Sequence, residues 1–424
     1  MLSKYKSENL KGRANFYSLV IIIITTFSVF YSSLHNFILN WDDQWQVCNS
    51  FTEGGLSMQN ITSFFFYKYR DQYSPLNQLV YIFIYKIDGY NPFFFHLISL
   101  IFHILNGCLL FVITKRIISK NVIIKNETGI IIVSLFTSLL FTIHPMQVES
   151  VCWISASKVI FFSFFYLIST LLVMKFIDTK RIIYYLAAIF IYILSFLCKE
   201  QALTFPIWLI LLIYIYDDSV KLSIAKLIKY ALPFFILSIA FGLYFEFFIS
   251  IPVEQINITH YPLWKRIIFL FKSIFLLIKK FLLPINLYYF YPLTNKVDSP
   301  LPLVEVLFPF FFSCVLPFII YKKNKIFIFS ILYFITHILL MIHIIPLPRE
   351  TITADRYIYL ALPGLSFLLS YFLYNVYIRF NRYRGLILSV VFLYIVALSF
   401  LSFNYTKKWH DPDSLRKISG IQIF

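Results

Sequence analysis

Long apolar stretches alternate with short polar segments along most of the 424-residue chain. A helix that crosses the hydrocarbon core of a bilayer needs about 20 mostly apolar residues, and about eleven stretches come near this length. The pattern therefore predicts an all-α, polytopic integral membrane protein. The predicted transmembrane helices lie at residues 16–35, 92–114, 130–143, 159–177, 182–198, 202–216, 230–250, 303–321, 326–345, 357–378 and 385–403.

Two segments differ from this simple pattern. Residues 36–91 form a large loop after the first helix, and a loop longer than about 15 residues is usually functional. Segment 264–283 is apolar, but it places Lys265, Lys272 and Lys279 seven residues apart, hence on one helical face. A helix with a basic stripe and an otherwise apolar surface is typical of the membrane interface. We therefore expect an interfacial amphipathic helix there.

Basic residues concentrate in alternate loops, and this sets the predicted orientation. With a cytoplasmic N-terminus, more than half of the 37 Lys and Arg residues fall in inner segments, as the positive-inside rule requires. The net charge of +17 then reflects topology, and no nucleic-acid partner is expected. The first loop and the tail at 405–424 would lie outside, in the periplasm of a bacterium or the lumen of the endoplasmic reticulum. The first apolar stretch lacks a small-residue cleavage site and is expected to remain as an anchor.

Composition narrows the class of protein further. The chain is 60% hydrophobic and 13% charged, with a mean hydropathy of +0.78, which excludes a soluble globular domain, a disordered chain and a nucleic-acid-binding domain. The five Cys are scattered without a C-x-x-C pair, so neither a disulfide framework nor a zinc site is indicated. No cofactor is required by the sequence, and a divalent metal stays open. We expect one transmembrane domain over residues 1–424, with membrane lipids as its surroundings.

Ionisable residues outside the inner loops concentrate at the predicted outer ends of the helices. Such groups are costly near a membrane and are candidates for function. A carboxylate can act as a general base on a hydroxyl, and Arg or Lys can bind phosphate, so the set suits transfer of a group from a phosphate-linked donor. The set comprises Asp42, Asp43, His144, Glu149, Lys158, Lys199, Glu200, Arg349, Glu350, Asp355 and Arg356.

Each of these groups also has an ordinary structural explanation. Paired Asp residues after a helix are most often a solvated loop, a Lys beside a Glu can be a local ion pair, and interfacial lysines can simply reach lipid head groups. Arg356 can pair with Asp355 or Glu350 and only anchor its helix. His96 and His103 are seven residues apart without a matched third ligand, which favours hydrogen bonds between helices over a metal site.

Eight short motifs occur in an order that resembles one family. The resemblance is to the membrane portion of TMTC-type proteins, within the GT-C glycosyltransferases that include protein O-mannosyltransferases, and it covers nearly the whole chain. The motifs are W-D-D at 41–43, Y-S-P-L at 73–76, N-P-F-F-F-H-L at 91–97, H-I-L-N at 103–106, H-P-M-Q-V-E-S-V-C-W-I-S at 144–155, K-E-Q-A at 199–202, D-R-Y-I-Y-L at 355–360 and W-H-D at 409–411.

The resemblance implies an enzyme that takes a sugar from a polyprenyl-phosphate carrier on the outer side of the membrane. We expect inversion, because one direct displacement of a phosphate that needs no protonation requires only one base. An acidic residue of the first outer loop would act as the base, which assigns catalysis to Asp42 or Asp43. The acceptor would be a protein or a cell-envelope glycan or lipid. Expected contacts to the donor phosphate or lipid are Arg356, Lys199, Lys265, Lys272 and Lys279, and expected sugar or acceptor contacts are His144, Glu149, Lys158, Glu200, His96 and Asp355.

The chain departs from the family pattern at three places. Its acidic pair is Asp-Asp where O-mannosyltransferases have Asp-Glu, and Ser74 stands where the second motif usually has Arg. Relatives often continue into tetratricopeptide repeats after the W-x-D segment, whereas this sequence ends at Phe424. Two other functions stay open: a transporter or flippase of lipid-linked glycans, which would use the same charged cavity without chemistry, and an inactive scaffold, favoured only by Ser74.

Overall fold

The computed structural model describes residues 2–39, 41–66, 73–121, 124–216, 224–245, 247, 262–289, 291–292, 303–304, 307–308, 311, 325–342 and 351–419. The predicted helix at 303–321 lies mostly outside these ranges, as do Arg70, Arg349, Glu350 and Phe424. Within them the α-helices are α1 (Leu2–Phe30), α2 (Asp43–Gln46), α3 (Ser50–Glu53), α4 (Met58–Phe66), α5 (Pro75–Asp88), α6 (Pro92–Lys120), α7 (Glu127–Ile143), α8 (Val148–Cys152), α9 (Ser157–Thr179), α10 (Ile182–Phe196), α11 (Phe205–Tyr216), α12 (Ile224–Tyr244), α13 (Leu263–Leu282), α14 (Lys325–Ile338), α15 (Leu362–Arg379), α16 (Arg384–Lys408) and α17 (Pro412–Ser419).

Short 3₁₀ helices and one pair of strands complete these elements. The strands β1 (Tyr291–Pro292) and β2 (Thr351–Thr353) pair antiparallel, with Tyr291 opposite Thr353. They connect the segment after α13 to the segment that contains Asp355. The 3₁₀ helices are Tyr31–His35, Pro145–Gln147, Ile154–Ala156, Glu200–Thr204, Asp355–Ile358 and Asn381–Tyr383.

The helices confirm the predicted all-α, polytopic membrane architecture. Five helices in the described ranges are long and apolar enough to cross a membrane: Gly12–His35, Pro92–Lys120, Ile154–Thr179, Ala225–Tyr244 and Asn381–Lys408. Helices Glu127–Ile143 and Pro145–Cys152, bent by 53° at the break between them, are a sixth candidate if they form one span. Shorter apolar helices lie at Ile182–Phe196, Glu200–Tyr216 and Lys325–Ile338. The count of about eleven spans stays a prediction.

Local sequence explains where several helices begin and end. The side chain of Asn91 accepts a hydrogen bond from Phe93 N (3.1 Å), and Pro92 occupies the first turn, which needs no N–H donor there. Asn126 caps α7 in the same way through Thr128 N (3.1 Å). The turn between α5 and α6 contains Gly89 at φ 57°, a conformation that glycine adopts without steric cost.

The core of the bundle is formed by α6, α7, α9, α10 and α15, which pack against one another. The α14–α15 contact is especially close, because a Cβ added at Gly364 would lie 2.7 Å from the carbonyl oxygen of Ser330. By contrast, α16 exposes large apolar side chains such as Phe392, Leu393 and Phe400. Lipid tails are as apolar as these side chains, so a membrane is a suitable environment for this face.

Successive helices bring the basic loops to one end of the bundle. There Lys115 Nζ donates to Asn15 Oδ1 (2.7 Å), and Lys120 Nζ lies 3.2 Å from Asp178 Oδ1. We call this the basic end. The opposite end contains the first loop, the α7–α9 connection and the segment before α15, and it is called the site end below.

The segment expected to be interfacial is the amphipathic helix α13. Its buried face includes Lys265, which is only 1% exposed, whereas Lys272 is half-buried and Lys279 is exposed. The three lysines therefore do not form one exposed stripe, since Lys265 faces the protein. Ser273 Oγ on the same buried face donates to the carbonyl oxygen of Ile352 in β2 (2.9 Å). Placement of α13 in the membrane interface stays a prediction.

Candidate active site

Asp43 is the first residue of α2 and joins the first loop to the α8–α9 connection. Its fully buried carboxylate accepts from Leu39 N (3.0 Å) through Oδ2 and from Ser155 N (2.8 Å) through Oδ1. Ser155 Oγ also donates to Oδ1. Burial raises the pKa of the Asp43 carboxyl from 3.8 to about 6, although the hydrogen bonds from Ser155 and Leu39 oppose this rise. Asp43 therefore holds two distant segments together.

Asp42 immediately precedes α2 and differs from Asp43 in its surroundings. Its side chain is half-buried, and its carboxylate makes no hydrogen bond or ion pair with the described part of the chain. It is nevertheless close enough to Asp43 and Arg356 to influence the pKa of both groups. Of the two aspartates, Asp42 is therefore the one with a carboxylate open to a further hydrogen bond among the described residues.

Arg356 lies at the site end and forms a buried ion pair with Glu149. Glu149 Oε2 accepts from the backbone N–H of Arg356 (2.9 Å), and Glu149 Oε1 accepts from Arg356 Nη1. The side chain of Glu149 is fully buried, and that of Arg356 is 19% exposed. Burial alone would lower the pKa of the guanidinium, but the Glu149 carboxylate raises it more, so Arg356 stays charged.

Asp355 introduces a second buried carboxyl beside this pair. Its Oδ1 accepts from the hydroxyl of Tyr291 in β1 (2.9 Å), and its Oδ2 has no hydrogen-bond partner among the described residues. Burial raises the pKa of the Asp355 carboxyl well above its ordinary value, and the negative charge of Glu149 acts in the same direction. Lys280 on α13 is the nearby cation that opposes this rise most.

Aromatic side chains surround Arg356. The Cζ atom of Arg356 lies 5.1 Å from the centre of the Trp153 ring, within the range of a cation–π interaction. Trp153 contacts Trp409 at 6.1 Å and Trp41 at 6.3 Å between ring centres, and Trp41 stacks on Tyr289 at 4.5 Å. We call Trp41, Trp153, Tyr289 and Trp409 the aromatic cluster. The cluster brings together three of the sequence motifs, those at 41–43, 144–155 and 409–411.

Three further predicted residues lie within the same end of the bundle. His144 Nε2 is 2.9 Å from the carbonyl oxygen of Phe281, and the two rings stack, so His144 attaches the end of α13 to the α7–α8 break. Lys158 Nζ donates to Gln46 Oε1 (3.1 Å) and so connects α9 to the first loop. His96 is fully buried against the backbone that follows the first 3₁₀ helix.

Lys199 and Glu200 form the local ion pair that their adjacency indicates. Lys199 Nζ lies 3.3 Å from Glu200 Oε1, with the Lys side chain 5% and the Glu side chain 33% exposed. The nearby Leu76 N donates to the carbonyl oxygen of Leu197 (3.2 Å), so the Y-S-P-L and K-E-Q-A motifs meet.

Several residues of the site were not assigned a role from the sequence. One of them is Tyr359, whose hydroxyl lies 2.8 Å from His103 Nδ1 and accepts from Asn106 Nδ2 (3.0 Å). His103 Nε2 also lies 2.9 Å from the carbonyl oxygen of Thr142, which confirms its predicted helix-packing role. The other unassigned residues are Ser155, Tyr291 and Lys280. Ser155 and Tyr359 lie inside quoted motifs, which is the only sequence signal for them.

No metal site is evident in the ranges that the structure describes. Within them there is no group of three or more His, Cys, Asp and Glu side chains able to hold a metal ion. At the site end, Asp43 already accepts hydrogen bonds from Ser155, and Glu149 is paired with Arg356. The need for a divalent metal therefore stays an open question for measurement.

Comparisons with known proteins include a likeness to a solved structure. No protein-family model matches the chain, and no curated protein matches it. Among solved structures, ArnT from Cupriavidus metallidurans bound to undecaprenyl phosphate is 12% identical, and the match covers 95% of this chain and 77% of ArnT with a TM-score of 0.47. A TM-score of this size does not establish a shared fold. The finer resemblance to TMTC-type proteins gains no support from these comparisons.

Proposed function

We propose that this protein is a GT-C glycosyltransferase that moves a sugar from a polyprenyl-phosphate carrier to an acceptor hydroxyl, with inversion, on the outer side of the membrane. The observation that carries the proposal is that Asp42, whose carboxylate is available, follows Trp41 of the aromatic cluster and acts electrostatically on Arg356 of the buried Glu149–Arg356 pair. The eight motifs support it, since four of them, at 41–43, 144–155, 355–360 and 409–411, meet through the aromatic cluster and the Glu149–Arg356 pair.

Asp42 is the better candidate for the base. Both carboxylate oxygens of Asp43 already accept hydrogen bonds in a fully buried position, so a substrate hydroxyl has no access to them. Asp42 is half-buried and keeps its oxygens available within the described surroundings. In this proposal Asp43 positions α2, and hence Asp42, through its hydrogen bonds with Ser155.

Arg356 is proposed to bind the departing phosphate. Its contacts with Glu149 use the main-chain N–H and Nη1, so with respect to the described residues Nε and Nη2 remain to donate to phosphate oxygens. A guanidinium matches phosphate with two parallel hydrogen bonds. Glu149 then positions the guanidinium and does not itself touch the sugar. Lys199, Lys265, Lys272 and Lys279 stay weaker proposals for lipid contacts.

The reaction balances with these groups. The acceptor oxygen forms a bond to the anomeric carbon while the bond from that carbon to the phosphate oxygen breaks. The hydroxyl proton passes to the Asp42 carboxylate, and the lipid phosphate leaves as an anion next to Arg356. A phosphate leaving group needs no protonation, so one base is sufficient, and one direct displacement inverts the configuration. Sugar and acceptor contacts from Lys158, Glu200, His96 and Asp355 stay proposals.

A transfer assay tests the proposal. Purified protein is mixed with radiolabelled polyprenyl-phosphate sugars extracted from membranes and with a cell-envelope fraction as acceptor. We expect transfer by the unmodified protein and a loss on the order of 10²–10⁴-fold in Asp42→Asn, the usual contribution of a general base. Asp88→Asn, which alters an exposed carboxylate bonded to Asn91 at the end of α5, is the matched control and keeps full activity.

Two results would contradict the proposal. Full transfer by Asp42→Asn removes this residue from the base role. Movement of the labelled carrier across a vesicle bilayer without any transfer favours the transporter. Mass spectrometry of glycans from cells with and without the gene identifies the sugar and acceptor in the same experiment series.

The outward orientation is tested separately. We propose that the site end faces the outside and the basic end faces the cytoplasm. In a cysteine-free background, an impermeant thiol reagent added to intact cells is expected to label a Cys introduced at Asp413 and to leave one at Arg382 unlabelled. The reverse pattern would invert the topology.

A further inference from the structure

An open cavity of about 510 Å³ lies at the basic end, far from the site end. It is formed between α1, α6, α9 and α11. Its volume is within the range of ligand sites in proteins, about 300–1,000 Å³. Its lining includes Lys115, Arg116, Lys120, Asp178, Leu19 and Phe111.

Positive charge exceeds negative charge among the described residues around this cavity. Lys115 lies 3.4 Å from Glu127 Oε1, and Lys120 lies 3.2 Å from Asp178 Oδ1. Asp178 Oδ2 is already occupied by the hydroxyl of Tyr216 (2.7 Å). The third cation, Arg116, interacts with that same neutral hydroxyl, which does not compensate its charge. Among the residues that the structure describes here, three cations therefore face two carboxylates, and this excess charge is suited to an anion.

The rest of the lining is apolar. Leu19 on α1 and Phe111 and Val112 on α6 form the wall that extends from the cations toward the middle of the bundle. Phe16, one turn from Leu19, is 62% exposed and continues this apolar surface outward along α1. A ligand that fits both parts has an anionic head and a hydrocarbon tail. Basic cavities between transmembrane helices near a membrane surface bind such lipids.

We propose that this cavity binds the phosphate head group of an anionic membrane lipid, with its acyl chain along α1 and α6. The site is separate from the proposed transfer site and does not depend on that activity. Free phosphate shares the head-group chemistry, and the experiment below separates the two sources.

Native mass spectrometry of the purified full-length protein measures lipid binding. Phosphatidylglycerol, phosphatidylcholine and inorganic phosphate are added in turn. We expect phosphatidylglycerol to bind at least tenfold more tightly than phosphatidylcholine. Each Lys or Arg contributes about fivefold to binding of an anionic lipid, so Arg116→Gln combined with Lys120→Gln should weaken it about 25-fold.

A matched control and a gain-of-binding variant make the test specific. Lys125→Gln combined with Arg181→Gln removes the same charges from exposed positions outside the cavity lining and should change affinity less than twofold. Asp178→Asn removes an acidic lining residue and should increase affinity about fivefold. A gain cannot result from misfolding, so this variant remains informative if the double variant is unstable.

The proposal fails under any of three results. Equal binding of phosphatidylcholine would show that the head-group charge is irrelevant. An equal loss in the control double variant would show attraction to the whole basic end and not to the cavity. Saturation by inorganic phosphate with no further effect of phosphatidylglycerol would identify free phosphate as the ligand.

Discussion

Removal of either partner from the Glu149–Arg356 pair should destabilise the protein strongly. The pair joins α8 to the segment before α15, and the side chains are 0% and 19% exposed. Breaking a buried pair by removing one charge costs about 3–5 kcal/mol, because the remaining charge stays buried without compensation. An exposed pair contributes only about 0–1 kcal/mol. Glu149→Gln and Arg356→Met should each cost about 3–5 kcal/mol of unfolding free energy.

A double-mutant cycle gives the coupling between the two side chains. The double variant Glu149→Gln/Arg356→Met contains neither charge, so it should cost less than the sum of the single variants by about 2–3 kcal/mol. Unfolding in mixed micelles with a denaturing detergent, followed by tryptophan fluorescence, measures all four free energies. The rings of Trp153 and Trp409 lie near the pair and should report its loss.

The Lys120–Asp178 pair provides the matched control. Its side chains are 45% and 34% exposed, and its cycle, measured in neutral detergent, should give about 0–1 kcal/mol. If the Glu149–Arg356 cycle is additive to within about 0.5 kcal/mol, the pair is not electrostatically coupled and the positioning of Arg356 by Glu149 is refuted.

Three further predictions concern the site and the packing of the bundle. Arg356→Lys should reduce donor affinity or turnover at least about tenfold while the protein stays folded, because the Lys ammonium lacks the planar fork of a guanidinium. Transfer rates measured at varied donor concentration check this, and unchanged kinetics would remove Arg356 from the phosphate role. The free energy of unfolding should fall by roughly 3 kcal/mol as pH rises from about 4 to about 6. Burial raises the pKa of Asp43 to about 6 in the folded protein, so the folded state binds a proton on Asp43 in this range that the unfolded state has lost. Asp43→Asn should remove this dependence of stability on pH. Gly364→Ala should cost about 1–3 kcal/mol of stability, measured by thermal unfolding. Gly385→Ala, with nothing within 4 Å of an added Cβ, should change stability by less than about 1 kcal/mol. Equal effects of the two substitutions would refute the close α14–α15 contact.

The helices could be predicted from the sequence because apolar length is a local property. The stretches at 92–114 and 159–177 correspond to α6 and α9, each extended by a turn or more. The 53° bend between Glu127–Ile143 and Pro145–Cys152 was not anticipated, although Pro145 marks it. Short helices α2, α3 and α4 within the first loop were missed as well, since four to nine residues carry too little periodicity.

The partners in the site could not be predicted from the sequence. The sequence offered Asp355 or Glu350 as ion partners of Arg356, because both are near it along the chain. The structure pairs Arg356 with Glu149, 207 residues away, and Asp43 with Ser155, 112 residues away. Such partners depend on how the helices pack, and a single sequence contains no direct record of that packing. The sequence did indicate at which end of the bundle the charged side chains meet.

The aromatic cluster has a consequence for biogenesis. Its rings come from residues 41, 153, 289 and 409, so the cluster cannot close until nearly the whole described chain has been synthesised. Until residue 356 enters the membrane, Glu149 lacks its cation, and a carboxylate without a partner must stay hydrated or protonated. Domains made in this way expose polar and apolar surface while they assemble, which is the form that cellular quality control recognises. A chain interrupted before Trp409 would keep its early helices in the bilayer, but its site end would stay incompletely packed, hydrated and accessible to membrane proteases.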